Sequence, residues 1–203
     1  VHSLNIASKQ DLIVEFGSND GTLLRFFKDM DYRILGVDPA VNLAEAATAS
    51  GIETLPVFFD KDTASDIVAK YGKAKVICAN HCCAHIDNFL GIIDGVKVLL
   101  DEGGVWIFEV GYLLDVYTKC LFDTIYHEHV DFHTVVPLLK CFKTQGLKII
   151  NVTRSTIQGG SLRCYVGKED TAPIIEGGLD SVQKLIAAEN SEGLGSKETF
   201  RAW

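Results

Sequence analysis

Asp11-Leu12-Ile13-Val14-Glu15-Phe16-Gly17-Ser18-Asn19-Asp20-Gly21-Thr22 is the stretch on which the reading of the whole chain turns. An apolar strand runs into a glycine-spaced turn and then into Leu23-Leu24-Arg25-Phe26-Phe27, the start of a helix. Glycine puts no Cβ between the backbone and a ligand and accepts the left-handed conformations that such a turn requires. The helix start offers N–H groups, and Glu15 places a carboxylate at the strand's end, where it can hold hydroxyls or an ammonium. The pattern Glu15-x-Gly17-x-Asn19-x-Gly21 therefore reads as a cofactor-binding strand, loop and helix start. By itself it is a weak signal, since a lone glycine-rich turn is often just a tight strand-to-helix connection, and the neighbouring segments supply the context.

Outward from that stretch, strands and helices alternate with short connections. Strands are expected over Leu12–Phe16, Arg33–Asp38, Glu53–Val57, Ala74–Ala79 and Val105–Val110, with helices over 22–30, 40–50, 62–71 and 86–101. Val76-Ile77-Cys78-Ala79 and Val105-Trp106-Ile107-Phe108 are apolar at every position, as strands covered on both faces are, which implies a parallel sheet between helices. Gly51 and Gly103-Gly104 stand just after helical stretches, where a left-handed cap is needed. In such a sheet ligands bind beyond the carboxyl ends of the strands, which singles out Glu15, Asp38, Asn80 and Glu109. Asp38 follows Ile34-Leu35-Gly36-Val37 about 20 residues beyond the glycine turn, where an acid accepts ribose hydroxyls. Its alternative is a cap for the helix that starts near Ala40.

After Val110 the pattern changes. Residues 111–130 form a long connection rich in Tyr, His and acids at the strand-end side, where loops carry function. A helix over about 134–145 precedes strands at Leu147–Val152 and Ser161–Val166, an antiparallel pair with Gly159-Gly160 between them. Residues 178–203 read as a polar helix broken around Glu192-Gly193-Leu194-Gly195.

Composition narrows the function classes. The 203 residues are 47% hydrophobic, enough for a full-sized core. A formal charge of −8, from 27 acidic and 19 basic residues, would repel a phosphate backbone, so nucleic acid is not the expected partner. The apolar runs are shorter than the ~20 residues of a membrane span, and Val1-His2-Ser3-Leu4-Asn5 shows no signal-peptide pattern, so the expected location is cytoplasmic, off the membrane. Six cysteines lie mostly in apolar segments with no C-x-x-C pair. Adjacent Cys82 and Cys83, beside His81 and His85, do not readily face one tetrahedral ion, so no metal is expected.

The segments together resemble the S-adenosylmethionine-dependent sugar C-methyltransferases, the family that methylates carbon 3 of nucleotide-linked 4-keto deoxysugars. The resemblance rests on Glu15-Phe16-Gly17-Ser18-Asn19-Asp20-Gly21, on Asp38-Pro39, on Ala79-Asn80 through Ala84-His85-Ile86, on Phe122-Asp-Thr-Ile-Tyr-His-Glu-His129, and on Gln158-Gly-Gly-Ser-Leu-Arg163. It implies a class I methyltransferase fold: a Rossmann-like, mostly parallel seven-stranded sheet with helices on both faces and an antiparallel last strand. It also implies that Glu15, Phe16, Gly17, Ser18, Asn19, Gly21, Asp38, Pro39, Ala79 and Asn80 hold S-adenosylmethionine. Residues 1–168 would be the methyltransferase domain and 169–203 the helical start of a following domain. The family's N-terminal cysteine-rich zinc lobe and its C-terminal domain have no counterpart here, so the chain is expected to be the middle of a longer protein whose flanking domains help to hold the sugar nucleotide.

Methyl transfer to carbon needs a base and an enolate stabiliser. The resemblance makes His129 the base, a task suited to an imidazole that titrates near neutrality. Tyr126 and His85 would donate towards the enolate oxygen or a sugar hydroxyl, and Glu128 would orient its neighbours or bind a hydroxyl. His127 is expected to point away into a structural hydrogen bond, His81 and His133 take no role, and Arg163 reads as a surface ion pair rather than a phosphate ligand. The alternatives are a nicotinamide-dependent oxidoreductase or epimerase, whose G-x-G-x-x-G the turn lacks, and a methyltransferase-like domain without turnover.

Overall fold

The computed structural model describes residues 6–203, so the stretch Val1-His2-Ser3-Leu4-Asn5 lies outside the described residues. The strands are β1 Leu12–Phe16, β2 Arg33–Val37, β3 Thr54–Leu55, β4 Ala74–Asn80, β5 Leu100–Gly111, β6 Leu147–Ser155 and β7 Ser161–Lys168. They form one seven-stranded sheet in the order β3-β2-β1-β4-β5-β7-β6. β1 to β5 pair in parallel, and β7 runs antiparallel to both β5 and β6. The helices are α1 Thr22–Asp29, α2 Val41–Ala49, α3 Lys61–Tyr71, α4 Phe89–Leu99, α5 Leu113–Lys119, α6 Val135–Thr144, α7 Gly178–Ser191 and α8 Lys197–Ala202. The expected architecture is present, and no helix among the described residues is long and apolar enough to cross a membrane.

Alternation along the strands explains why both faces are apolar. Val14, Phe16, Ile77, Trp106 and Phe108 point to one side, where α3, α4, α6 and α7 cover them. Ile13, Val76, Cys78, Val105 and Ile107 point to the other, against α1 and α2. Trp106 is fully buried, 4.6 Å from the Phe108 ring and 5.7 Å from that of Phe142. Each large side chain buried this way contributes about 1.5–3 kcal/mol relative to exposure, so the Phe-Trp layer is a main source of the sheet's cohesion. α7 packs on β6 and α6, with Val182 and Leu185 in that same core. The expected domain division at residue 168 falls between β7 and α7.

β6 and β7 run on beyond the expected Val152 and Val166 to Ser155 and Lys168, and three other boundaries depart from expectation for a local reason. β3 is two residues long because Pro56 has no N–H to continue the ladder. α4 begins at Phe89, where the Asn88 side chain accepts the Gly91 N–H at 3.0 Å, and it stops at Leu99 rather than 101. Gly103 and Gly104 are not a helix cap but part of β5. Leu100 already pairs with Ala74, and the register shifts before Val76 meets Val105. Gly103 has φ +64°, and a Cβ on Gly104 would lie 3.0 Å from the carbonyls of Asp101 and Lys75, so this bulge requires glycine.

Candidate active site

The glycine turn leaves β1 on three left-handed residues: Gly17 at φ +67°, Asn19 at +52° and Gly21 at +77°. A Cβ on Gly17 would stand 2.8 Å from Cys82 Cβ, and one on Gly21 2.9 Å from Ile52 Cγ2, so the turn is pressed against the segment after β4 and the approach to β3. Asp38, at the end of β2, accepts the Asn19 N–H at 2.8 Å on one oxygen and the Ala40 N–H at 2.9 Å on the other. Ala40 is itself the N-cap of α2, which has no side-chain cap, so Asp38 does not cap that helix but ties the turn to the approach to α2; each oxygen keeps a second lone pair for a ligand. Pro39 follows it at the surface.

Glu15 is 4% exposed and receives the Asn80 amide at 3.2 Å on Oε1, while Oε2 has no partner. Burial, opposed by the Asn80 bond and reinforced by the Asp38 and Asp20 charges, pushes its carboxyl up to about 7. Phe16 and Ala79 turn their side chains into the core, Phe16 stacked on Phe59 at 4.5 Å, so their backbone is what borders the turn. Ser18 is buried, with its N–H on the Val37 carbonyl at 3.3 Å.

Asn80, Glu109 and Arg163 lie side by side in register across β4, β5 and β7. Glu109, 2% exposed, accepts Arg163 Nε at 2.7 Å, Arg163 Nη2 at 2.6 Å and Ser155 Oγ at 2.9 Å. His81, at φ +52°, places Nε2 3.5 Å from the same carboxylate, and burial holds its ring below the usual imidazole range despite that neighbour. Asn80, His81, Glu109 and Arg163 border a cavity of about 360 Å³ whose floor is Cys78 and Ile107. Arg163 does form an ion pair, but its partner is buried rather than at the surface. Neither this pairing nor the position of His81 follows from spacing along the chain; of this group, strand-end placement marked Asn80 and Glu109.

After Asn80 the chain joins two parts of the site. Cys82 lies with Sγ 3.5 Å from the Phe16 carbonyl, Cys83 is in the core, and the Ala84 carbonyl accepts the Val130 N–H at 3.0 Å. Among the described residues no group of three or more His, Cys, Asp or Glu side chains is placed to hold a metal ion.

The loop after β5 contains α5 and then the histidine cluster. His129 Nδ1 is 2.7 Å from the Thr124 carbonyl and Nε2 is 3.1 Å from the Tyr126 hydroxyl. A carbonyl only accepts, so Nδ1 carries the hydrogen, and the phenol donates to the lone pair on Nε2. His85 repeats the arrangement, with Nδ1 2.8 Å from the Glu128 carbonyl, and its ring centre is 4.9 Å from that of His129. The structure thus gathers Tyr126, His129 and His85. The Glu128 side chain is 63% exposed, and this residue reaches the cluster through its backbone. His127 is 90% exposed and lies 3.9 Å from Glu128 instead of in the expected structural hydrogen bond. His133 is buried beside Phe89, and burial holds it below its usual range.

A family profile described as a methyltransferase domain matches residues 5–152. The chain is similar to the C-methyltransferase NovU of Streptomyces niveus, 34% identical over 191 residues that take in 94% of this chain and 45% of that protein. It thus spans about half the length of this curated relative. Among solved structures it is similar to a SAM-dependent methyltransferase from Anabaena variabilis, at TM-score 0.63 and 14% identity over 79% of this chain and 78% of that one. It is also similar to magnesium protoporphyrin IX methyltransferase (ChlM) from Synechocystis with bound SAH, at TM-score 0.59 and 13% identity over 81% and 76%. At such identities the structural likeness is one of fold.

Proposed function

The chain belongs to the methyltransferase-domain family, with S-adenosylmethionine as its cofactor, and from that membership we propose a carbon methyltransferase acting on C-3 of a nucleotide-linked 4-keto deoxysugar. The nicotinamide reading gives way to this cofactor. The residues present fit it. Gly17, Ser18, Asn19 and Gly21 offer a close backbone, Asp38 has lone pairs for ribose hydroxyls, and the unpartnered Glu15 Oε2 suits the ammonium of the amino-acid end. Phe16, Pro39, Ala79 and Asn80 border the same cradle. When bound, the cofactor supplies an electrophilic methyl group on a sulfonium.

The observation that carries the catalytic reading is the His129 ring, pinned at Nδ1 by a backbone carbonyl so that Nε2 is left basic. In the proposed reaction, Nε2 takes the proton from the carbon beside the ketone, either through the Tyr126 hydroxyl or after that hydroxyl turns away. The C–H electrons pass into an enolate, and Tyr126 donates to its oxygen; the expected donation from His85 is not open to the neutral ring, whose hydrogen is held on Nδ1 by the Glu128 carbonyl. The enolate carbon's electron pair then takes the methyl, whose former bonding electrons stay with sulfur. Glu128 acts in this scheme through the carbonyl that orients His85. Support for carbon as the acceptor comes from the similarity to NovU; support for the sugar comes from Phe122–His129 and Gln158–Arg163. The flanking parts of a longer polypeptide would complete the substrate site.

The test is to incubate the longer polypeptide with methyl-¹³C cofactor and nucleotide-linked 4-keto deoxysugars. A new carbon-bound methyl signal at C-3 is expected. Methyl on oxygen or nitrogen, or no transfer while SAH still binds, would refute the proposal.

A further inference from the structure

Glu189 belongs to α7, yet it holds both ends of the loop that carries Tyr126 and His129. Its Oε1 accepts the Tyr112 hydroxyl at 2.8 Å and the Val135 N–H at 2.6 Å, and its Oε2 accepts the Val136 N–H at 3.0 Å. Three donors and no acceptor face a side chain that is 2% exposed, so it serves as a carboxylate. Tyr112 stands where β5 gives way to the loop; Val135 and Val136 are the first turn of α6, where the loop ends. Thr134, the residue before α6, makes no side-chain cap, and Glu189 takes that place with the charge the helix start favours. Burial and then the Glu189 charge push the Tyr112 phenol well above its usual range, so it stays a donor. The Leu113 N–H on the His133 carbonyl at 3.1 Å draws the same two ends together.

We infer that Glu189 is a positioning residue. By fastening both loop ends to one buried carboxylate, it keeps the Thr124 carbonyl against His129 Nδ1 and so selects the tautomer whose Nε2 faces Tyr126. Only the use made of His129 rests on the proposed reaction; the clamp can be observed without turnover.

The experiment uses ¹⁵N-labelled histidine in the 203-residue chain with SAH bound, at about pH 8.5. Wild type should show His129 as one tautomer, protonated on Nδ1. Glu189→Gln turns an NH₂ towards the Val136 N–H if its oxygen takes the place of Oε1, or towards Tyr112 and the Val135 N–H if it takes the place of Oε2, so in either orientation the α6 end loses an acceptor and the clamp should loosen there. A second His129 tautomer is then expected, with amide exchange at Val135 and Val136 at least ~10-fold faster, while SAH affinity stays within about twofold because its cradle comes from other strands. An unchanged His129 tautomer in a Glu189→Gln chain that binds SAH would overturn the inference. If that variant loses SAH binding altogether, Tyr112→Phe, which frees only the β5 end, decides by the same signal: a second tautomer supports the clamp and its absence refutes it. Unimpaired turnover in His129→Asn would strike the catalytic reading and leave the clamp standing.

Discussion

Replacing Glu15 by Gln should change how stability depends on pH, with a size that follows from its surroundings. The carboxyl goes from 4.5 in the unfolded chain to about 7 in the fold, chiefly because burial disfavours its charge. An acid raised by folding contributes fully below its unfolded value and loses that contribution as pH rises through its folded value. At 1.36 kcal/mol per pH unit, the loss is complete above pH 7 and amounts to about 3 kcal/mol, of which roughly 2.5 kcal/mol falls between about pH 5 and pH 8. Gln keeps the Asn80 bond on its oxygen, while its NH₂, placed where Oε2 has no partner, costs about 1–3 kcal/mol at every pH. That cost cancels when the variant is compared with wild type at two pH values. Thermal denaturation without cofactor should therefore show Glu15→Gln gaining on wild type by roughly 5–10 °C between about pH 5 and pH 8. Parallel pH profiles for the two proteins would refute the assignment of a buried, charge-averse Glu15.

Asp38→Ala should weaken SAH binding by about 1.5–3 kcal/mol, the range for hydrogen bonds to a charged group, and in addition should loosen the turn through the lost Asn19 bond. Calorimetry showing an unchanged dissociation constant would remove the ribose role. In the longer enzyme, His129→Asn should lower turnover by roughly 10²–10⁴ with cofactor affinity held within about twofold. It should also abolish deuterium exchange beside the ketone. Exchange retained at the wild-type rate would pass the role of base to His85.

The parallel half of the sheet was legible because its strands carry continuous apolar runs, such as Val76–Ala79 and Val105–Phe108, that end in polar residues, so Glu15, Asp38, Asn80 and Glu109 could be named before any coordinates. What escaped depends on atoms that a residue code does not show. The Gly103-Gly104 bulge comes from pairing that begins at Leu100, and a glycine pair after a helix looks the same whether it caps or bulges. Arg163 meets Glu109 through an antiparallel register between segments distant in the chain. The His129 tautomer is chosen by the carbonyl of Thr124, which any residue at that position would also possess. Glu128 was expected to orient its neighbours or bind a hydroxyl, and the contact it makes with His85 runs through its backbone carbonyl, which the residue code does not show.

The insertion of β7 between β5 and β6 has a consequence for the order in which the chain is made. The last strand synthesised is interior, while β6, made before it, ends as the edge. Leaving the ribosome, β5 has its parallel neighbour β4 at once but keeps its other rim of N–H and C=O groups bare until Ser161–Lys168 arrives. Trp106 and Phe108 lie on that waiting strand, so the nascent chain carries its most apolar layer beside an open rim, the combination that invites association between chains. The β6–β7 hairpin is thus the closing piece of the sheet, and it must be complete before the strand beside it is protected.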